Sequence, residues 1–278
     1  MVKIWRLESD NGKAGLEFID EAISLDAGSE ELPAGVYTTF RTYNHNNVLR
    51  LLEHFDRLVE SARLQRIYVT IDQRTLRSGL QMVIATFPGV DVRVRIHWSM
   101  QLPAPMVYLM GEKFNPIPEE MYLNGVAVQI IYQSRENPLS KATSFIRETR
   151  ELRTTKTSDV HEYLMVGNNG EILEGMTSNV FCILNEKLYT ASSGILMGIT
   201  RQLVLEAVGS LSVPVVNQGL SVSEIAKVDE VFITSASRGV LPVTVVDGNI
   251  IGSGKPGKLT QRIGGEFIKR LEKELTAI

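Results

Sequence analysis

The chain has 278 residues, which favours either two domains or one large domain. Apolar residues make up 44% and charged residues 22%, with a formal net charge of −3, so the composition does not indicate a nucleic-acid partner. No apolar run is long enough to span a membrane and no apolar signal core is present, so we expect no membrane association and a cytoplasmic location. The single cysteine, Cys182, excludes an intrachain disulfide framework and lies in an apolar segment typical of a core strand.

The amino-terminal part begins with weak patterning, which suggests a strand over residues 2–7 and a loop over residues 25–31. Residues 36–43 are rich in β-branched and aromatic side chains and predict a strand, followed by a turn at 44–47 and a second strand. Apolar residues then repeat every three and four positions between Leu52 and Leu64, which predicts an amphipathic helix.

A helix is predicted over residues 75–86, and strands over 92–98 and 106–110. The alternation at 92–98 turns Val94 toward the core and Arg95 to the opposite face, where it is either solvated or able to bind a substrate carboxylate. Two prolines stiffen the segment 113–120, which we interpret as an interdomain linker. The predicted division is therefore 1–112 for a small first domain and 121–278 for a larger second domain.

The second half predicts strands over 126–132, 162–166 and 180–184, and a helix from Lys141 to about Thr155. A hairpin turn at 167–170 precedes Glu174, which therefore lies between two apolar strands. If buried, the Glu174 carboxylate needs a cationic or hydrogen-bonding partner, since an isolated buried charge is costly. The alternative is a turn in which Glu174 points to solvent.

The remaining elements are a helix that begins near Thr200, a strand over 229–234, a hairpin around Asp247 and a closing helix over 259–275. Gly198 stands just before the first of these helices. A glycine followed by a helix amino terminus can bind an anion, although this combination is common in proteins without such a role.

Four motifs together resemble the class IV (fold type IV) pyridoxal-phosphate enzymes, a family that includes branched-chain aminotransferases, D-amino-acid transaminases and aminodeoxychorismate lyases. The motifs are Glu-Gly-x-Thr-Ser-Asn at 174–179, Glu-His-x-x-Arg-Leu at 53–58, Gly-Ile-Thr-Arg at 198–201, and a lysine placed before the strand at 162–166. The similarity runs from about residue 35 to about residue 260.

The resemblance implies the cofactor pyridoxal 5'-phosphate and assigns roles to matching residues. Lys141 would hold the cofactor as a Schiff base and move protons during catalysis, and Glu174 would face the pyridine nitrogen. Arg57 would bind the cofactor phosphate, because a guanidinium matches phosphate oxygens. Ile199 and Thr200 would bind the same phosphate at the helix amino terminus.

Other positions match the family pattern less closely. Relatives often have a phosphate-binding threonine in the turn at 235–239, where the matching position is Ala236. Ser235 or Ser237 could take its place, and Ser237 is the candidate. Tyr37 matches an aromatic residue that lines the substrate pocket, although without the resemblance it would be an ordinary strand aromatic. Arg95 is the candidate for binding a substrate carboxylate. The pair Thr38-Thr39 is closer to the lyases than to the transaminases.

The expected fold is therefore of the α/β (α+β) class: a small amino-terminal α/β domain and a larger carboxy-terminal domain with a β-barrel-like core. The expected activity is amino-group transfer between an amino acid and a 2-oxo acid, and the alternative is release of 4-aminobenzoate and pyruvate by a lyase. The family resemblance also implies a homodimer and small-molecule substrates. We predict no metal site.

Overall fold

The computed structural model describes residues 1–10, 13–68, 70, 72–100, 105–157 and 159–278. The chain forms two compact units, each assembled from segments that are separated in the sequence. The first unit comprises Met1–Asn115, Ser140–Glu151 and Glu274–Ile278, and the second comprises Pro116–Leu139 and Leu152–Lys273. The predicted domain boundaries stay a prediction.

The first unit contains a seven-stranded antiparallel sheet. Its strands are β1 (Val2–Asp10), β2 (Lys13–Ala22), β3 (Gly35–Tyr43), β4 (Asn47–Leu49), β5 (Val92–Ser99), β6 (Val107–Lys113) and β16 (Leu275–Ala277). They lie in the order β16-β4-β3-β5-β6-β1-β2. The long helices of this unit are α2 (Leu51–Leu64) and α3 (Gln73–Ala85), and the short ones are α1 (Leu25–Glu31) and α5 (Ser144–Glu148).

Alternating side chains place apolar residues on both faces of this sheet. On one face, Phe40 of β3 and Leu109 of β6 belong to a core shared with α2 and α3. On the other face, Ile4 of β1 and Met110 of β6 pack with Leu25 of α1. The central strands of the first sheet are therefore covered on both sides, and polar groups that point out of either face there become buried.

The second unit is built around a sheet that closes on itself. Its strands are β7 (Val126–Ile131), β8 (Glu162–Val166), β9 (Ile172–Gly175), β10 (Asn179–Leu184), β11 (Lys187–Tyr189), β12 (Val215–Val216), β13 (Glu230–Ser235), β14 (Gly239–Val246) and β15 (Asn249–Ile250). Its helices are α4 (Glu119–Asn124), α7 (Ile199–Ser210), a 3-10 helix (Val222–Lys227) and α8 (Lys258–Glu274), while α6 (Arg150–Thr155) begins in the first unit.

Six of these strands form a closed barrel in the order β10-β13-β14-β7-β8-β9. The ring closes through one antiparallel register pair between Glu174 of β9 and Asn179 of β10. Closure of the sheet removes the free strand edges, and apolar residues such as Leu164, Cys182 and Ile233 form the core of the unit. The predicted fold class is confirmed, since the structure is a mixed α/β fold with a barrel in the larger unit.

Three local predictions are wrong. Residues 25–31 form helix α1 rather than a loop, because Ser24 accepts a hydrogen bond from Ala27 N (3.1 Å) and caps the helix. The helix predicted to start at Lys141 is divided into α5 and α6. The strand β16 was not predicted, and it follows α8 directly. Within the described ranges, no helix is both long enough and apolar enough to cross a membrane.

Candidate active site

Lys141 is fixed by main-chain hydrogen bonds to the first sheet. Its carbonyl oxygen accepts from Tyr37 N at 2.9 Å, and its own N–H donates to Ser61 Oγ of α2 at 3.1 Å. Ala142 forms an isolated antiparallel bridge with Val36, so the segment that carries Lys141 runs beside the start of β3. The location of the Lys141 backbone is therefore fixed by hydrogen bonds to β3 and α2.

Gly35 is the residue that permits this pairing at the start of β3. Its N–H donates to Thr143 Oγ1 at 2.9 Å, and its carbonyl oxygen accepts from Thr143 N at 2.8 Å. A Cβ atom at this position would overlap the carbonyl oxygen of Trp98 on β5. The glycine is therefore required by the close approach of a neighbouring backbone.

The Lys141 side chain is half-buried, and its Nζ lies 4.9 Å from the centroid of the buried Tyr37 ring. The Arg95 guanidinium lies 4.4 Å from the same centroid. The Lys141 charge also acts on His54, where burial first, then Arg57 and then Lys141, holds the pKa of the imidazole well below its usual value. The structure thus brings together Lys141, Tyr37, His54 and Arg57 in the first unit.

Arg57 projects from α2 toward β3 and donates to Thr38 Oγ1 at 2.7 Å. Burial lowers the pKa of its guanidinium to about 10, so the group is still cationic at neutral pH. Its Nε is buried, and among the described residues no group accepts a hydrogen bond from this atom. A buried cation with an unused donor is suited to an anionic ligand.

The Arg95 guanidinium already has several partners within the first unit. Its guanidinium donates to Leu25 O (2.8 Å), Ser29 Oγ (2.8 Å) and Thr39 Oγ1 (3.1 Å), and it forms an ion pair with Asp26 at 2.7 Å. Arg95 therefore links α1 to the sheet, and a substrate carboxylate would have to compete with Asp26. The substrate-binding role of Arg95 stays a prediction.

In the second unit, Glu174 is only 1% exposed, which rules out the turn in which it points to solvent. Its Oε1 lies 2.9 Å from Nε of Arg135, which is also buried. Its Oε2 accepts from Leu196 N at 3.1 Å and from Asn179 Nδ2 at 3.5 Å. The burial cost of the carboxylate is thus offset by a cation and by hydrogen bonds.

The Asn179 side chain connects Glu174 to the segment before α7. Its Nδ2 donates to Leu196 O at 2.8 Å. A Cβ atom on Gly198 would overlap Asn179 Oδ1, so the glycine lets the two segments approach. Helix α7 begins at Ile199 without a side-chain cap, and the N–H groups of its first turn have no partner within the helix. Ile199 and Thr200 therefore lie where an anion would be stabilised.

A second buried carboxylate, Glu162 of β8, organises the loop that follows Glu174. Its Oε2 accepts from Thr177 Oγ1 (2.6 Å) and Ser178 Oγ (3.3 Å) and forms an ion pair with Arg238 (3.1 Å). Arg238 also donates to Thr177 Oγ1 at 2.8 Å. Ser237 is half-buried in the same turn, between β13 and β14, and its phosphate-binding role stays a prediction.

Sequence reasoning missed Arg135 and Glu162 as members of these clusters. A buried carboxylate needs a cationic or hydrogen-bonding partner, which predicted that Glu174 would have one. The sequence did not show which of several arginines this partner would be. Cys182 was interpreted correctly as a core residue, since it is 2% exposed and burial raises the pKa of its thiol to about 12.

The comparisons with known proteins agree with these features. Residues 35–246 match the family model described as amino-transferase class IV. The chain is 29% identical to a "Probable branched-chain-amino-acid aminotransferase" of Thermotoga maritima, over 89% of this chain and 90% of the relative. It is 28% identical to a D-alanine aminotransferase of Bacillus licheniformis, over 91% of this chain and 93% of the relative.

Solved structures share the fold. A crystal structure of a T. maritima protein, provisionally assigned as a branched-chain amino acid aminotransferase, superposes with a TM-score of 0.79 at 27% identity, covering 98% of this chain and 96% of that chain. The T.th. branched-chain amino acid aminotransferase, complexed with N-(5'-phosphopyridoxyl)-L-glutamate, gives a TM-score of 0.80 at 19% identity, covering 99% and 98%.

The family model covers most of the chain, from Gly35 at the start of β3 to Val246 at the end of β14. This range includes Arg57, Lys141, Glu174 and the start of α7. The resemblance inferred from the four motifs is therefore confirmed, and the chain belongs to the class IV aminotransferases.

Proposed function

We propose that the chain transfers an amino group between an amino acid and a 2-oxo acid with pyridoxal 5'-phosphate as cofactor and Lys141 as the catalytic residue. Pyridoxal phosphate is the cofactor that the family and its phosphopyridoxyl-bound neighbour indicate. When bound, it supplies an aldehyde that captures amino groups and a ring that accepts electrons from a cleaved bond. The observation that carries the proposal is the half-buried Lys141 amine held above Tyr37.

Each candidate residue has a task that its surroundings support. The Lys141 amine attaches the cofactor covalently and later moves the substrate α-proton. Arg57 binds the phosphate with donors that Thr38 does not use, and Ile199, Thr200 and Ser237 bind it through amides and hydroxyls. Glu174, which forms a buried ion pair with Arg135, holds a proton on the pyridine nitrogen.

The substrate is proposed from the relatives and from the residues around the lysine. Tyr37 lines the pocket with its ring, and Arg95 orients that ring from its position in the α1 contact. The named relatives are branched-chain and D-alanine aminotransferases, so branched-chain L-amino acids and D-alanine are the first donors to test. A panel of donors of both configurations, with 2-oxoglutarate or pyruvate as acceptor, identifies the preferred pair.

The attachment residue can be tested directly. Borohydride reduction of the protein with cofactor, followed by peptide mass mapping, should place the pyridoxyl group on Lys141. Lys141→Ala should abolish both the label and the transfer of amino groups. Lys156→Ala is the control, because Lys156 is exposed and its amine donates to Val160 O in its own loop. A label on any other lysine would contradict the assignment.

Aminodeoxychorismate lyase is the alternative activity, and the Thr38-Thr39 pair is the feature that favours it. The two reactions differ in their need for a second substrate. Release of pyruvate from aminodeoxychorismate in the absence of any 2-oxo acid would support the lyase. Sustained transfer between an amino acid and a 2-oxo acid, without this release, would support the transferase. We also propose that the protein is a homodimer, which light scattering of the purified protein tests. We propose a cytoplasmic location, which fractionation of cells that express the protein tests.

A further inference from the structure

The strand β3 and helix α2 share a buried hydrogen-bonded chain that neither the motifs nor the proposed function explains. Thr38 is fully buried and His54 is 3% exposed. Thr38 Oγ1 lies 2.8 Å from His54 Nδ1 and accepts from Arg57 at 2.7 Å. The same Arg57 nitrogen lies 3.3 Å from His54 Nδ1. Three polar groups therefore meet at one point inside the first unit.

The chemistry of the three groups favours one arrangement of protons. A guanidinium can only donate, so when both contacts of Arg57 are hydrogen bonds, Thr38 Oγ1 and His54 Nδ1 act as its acceptors. The single Thr38 proton is then left for His54 Nδ1, which must carry no hydrogen of its own. Burial and the charges of Arg57 and Lys141 lower the pKa of His54 and so disfavour the imidazolium form, which would require a proton on Nδ1.

The neighbouring groups hold this arrangement in place. The His54 ring packs on Phe40 with their centroids 5.0 Å apart, which limits rotation of the imidazole. Thr38 and His54 contact one terminal nitrogen of Arg57. The buried Nε of Arg57 has no acceptor among the described residues. The fixed nitrogen thus determines the direction in which the remaining donors of the planar guanidinium point.

We propose that Thr38 and neutral His54 are positioning residues that orient Arg57 for the cofactor phosphate. This inference rests on the proposed function, because it requires that Arg57 binds that phosphate. Thr38 acts through its hydroxyl, which accepts from Arg57 and donates to His54. His54 acts as the tautomer that carries its proton on Nε2.

The test compares the binding of pyridoxal phosphate with that of pyridoxal, which lacks the phosphate. The dissociation constant of pyridoxal divided by that of pyridoxal phosphate gives the contribution of the phosphate to binding. Thr38→Val, which keeps the shape but removes the hydroxyl, should lower this ratio by about tenfold, the effect of losing one hydrogen bond to a charged group. Thr38→Ser should restore the ratio, because it restores the hydroxyl. Thr39→Val, on the opposite face of β3, should leave the ratio unchanged.

A defect that does not involve the phosphate would weaken the binding of both ligands equally and leave the ratio unchanged. That result would overturn the inference. A Thr38→Val ratio equal to that of the wild type therefore counts against the positioning role alone. A wild-type ratio near one would instead remove the phosphate role of Arg57, and with it both the proposed function of that residue and this inference.

A second measurement does not depend on a variant that folds. The ¹⁵N chemical shifts of His54 in the wild-type protein without cofactor report the tautomer. The proposal expects a proton on Nε2 and an unprotonated Nδ1 at neutral pH. A proton on Nδ1 would overturn it.

Discussion

At the scale of single residues, the central feature is that both buried carboxylates of the second unit face arginines. Glu174 faces Arg135 at 2.9 Å, and Glu162 faces Arg238 at 3.1 Å. Both carboxylates lie close to the Thr-Ser-Asn segment, one through Asn179 and the other through Thr177. Three charged side chains outside the motif, those of Arg135, Glu162 and Arg238, therefore contact residues within it.

The pair of Glu174 and Arg135 should be energetically coupled. Removing one member of a buried ion pair costs about 3–5 kcal/mol, because the other charge stays in a poorly solvated position. We expect Arg135→Met to cost this amount in the free energy of unfolding of the cofactor-free protein, measured with urea. Arg135→Met combined with Glu174→Gln should cost clearly less than the sum of the two single changes.

An exposed pair provides the control for this cycle. Lys269 and Glu266 lie 3.4 Å apart on α8, and the Lys269 side chain is 70% exposed. Pairs of this kind contribute about 0.3–0.5 kcal/mol on a helix surface. Lys269→Met should therefore change stability little. Additive effects of the Arg135 and Glu174 changes would contradict a direct coupling between them.

His97 of β5 gives a prediction for pH dependence. Its side chain is fully buried, its Nε2 donates to Pro33 O at 2.9 Å, and burial, with smaller effects of Arg95 and Arg147, lowers its pKa to about 4. The unfolded state then binds more protons than the folded state below the normal pKa near 6.5. His97 therefore favours folding above that pH, and its contribution is lost as the pH falls toward 4.

The loss attributable to His97 should approach about 3 kcal/mol between pH 6.5 and 4, from roughly 1.4 kcal/mol for each pH unit. His97→Gln should show a shallower decline of unfolding free energy with falling pH than the wild type. His45→Gln, at an exposed turn, is the control and should keep the wild-type decline. Equal slopes for wild type and His97→Gln would contradict the prediction.

At the scale of elements, β3 provides the positions of both Tyr37 and the segment that carries Lys141. Gly35 begins this strand and bonds in both directions to Thr143. Its neighbour Trp98 approaches so closely that no side chain fits. The start of β3 is therefore a point where packing between strands and placement of the catalytic lysine depend on the same residue.

Gly35→Ala should force β3 and β5 apart. Because the obstacle is backbone rather than a flexible side chain, we expect a loss of about 1–3 kcal/mol, as for other overpacked sites. The same change should reduce the labelling of Lys141 by the cofactor. Gly15→Ala in β2 is the matched control, since its nearest contact would be Glu8 Cβ at 3.8 Å. Similar stabilities for the two variants would show that β3 has room for a methyl group.

The sequence predicted these elements to different degrees. The strand β3, the helix α2 and the hairpin at Asp247 have clear periodicity or turn residues, and the structure contains them. Helix α1 was missed because its seven residues, including Gly28, are too few and too weakly apolar to show a helical repeat. The partner of Glu174 could not be predicted, because Arg135 comes from a loop that is distant in the sequence. The contact of Arg57 with Thr38 depends on how α2 packs against β3, which the sequence pattern does not show.

At the scale of the whole molecule, the first unit contains a strand from the far end of the described sequence. Strand β16 pairs with β4 in antiparallel register, with Leu275 opposite Leu49. Ile278 packs against the core beneath the sheet, and its N–H donates to Asn46 O at 3.0 Å. The first unit therefore depends on residues that follow helix α8 of the second.

A chain that ends at Glu274 should lose this strand. We expect a loss of about 2–4 kcal/mol from the partly buried Ile278 side chain and the hydrogen bonds of β16. Amide hydrogen exchange should become faster in β4 and at the end of β3, while the amides of the barrel strands β7 and β8 provide an internal control. Unchanged protection of β4 would show that β16 contributes little to the sheet.

This late strand has a consequence for synthesis on the ribosome. β4 emerges early, but β16, one of its two neighbours in the sheet, exists only after translation has passed Ala277. The segment that carries Lys141 must also pair with β3 after β3 to β6 have been made. We therefore expect the nascent amino-terminal unit to expose an unpaired strand edge until β16 has been made, which would favour protection by a chaperone during that interval.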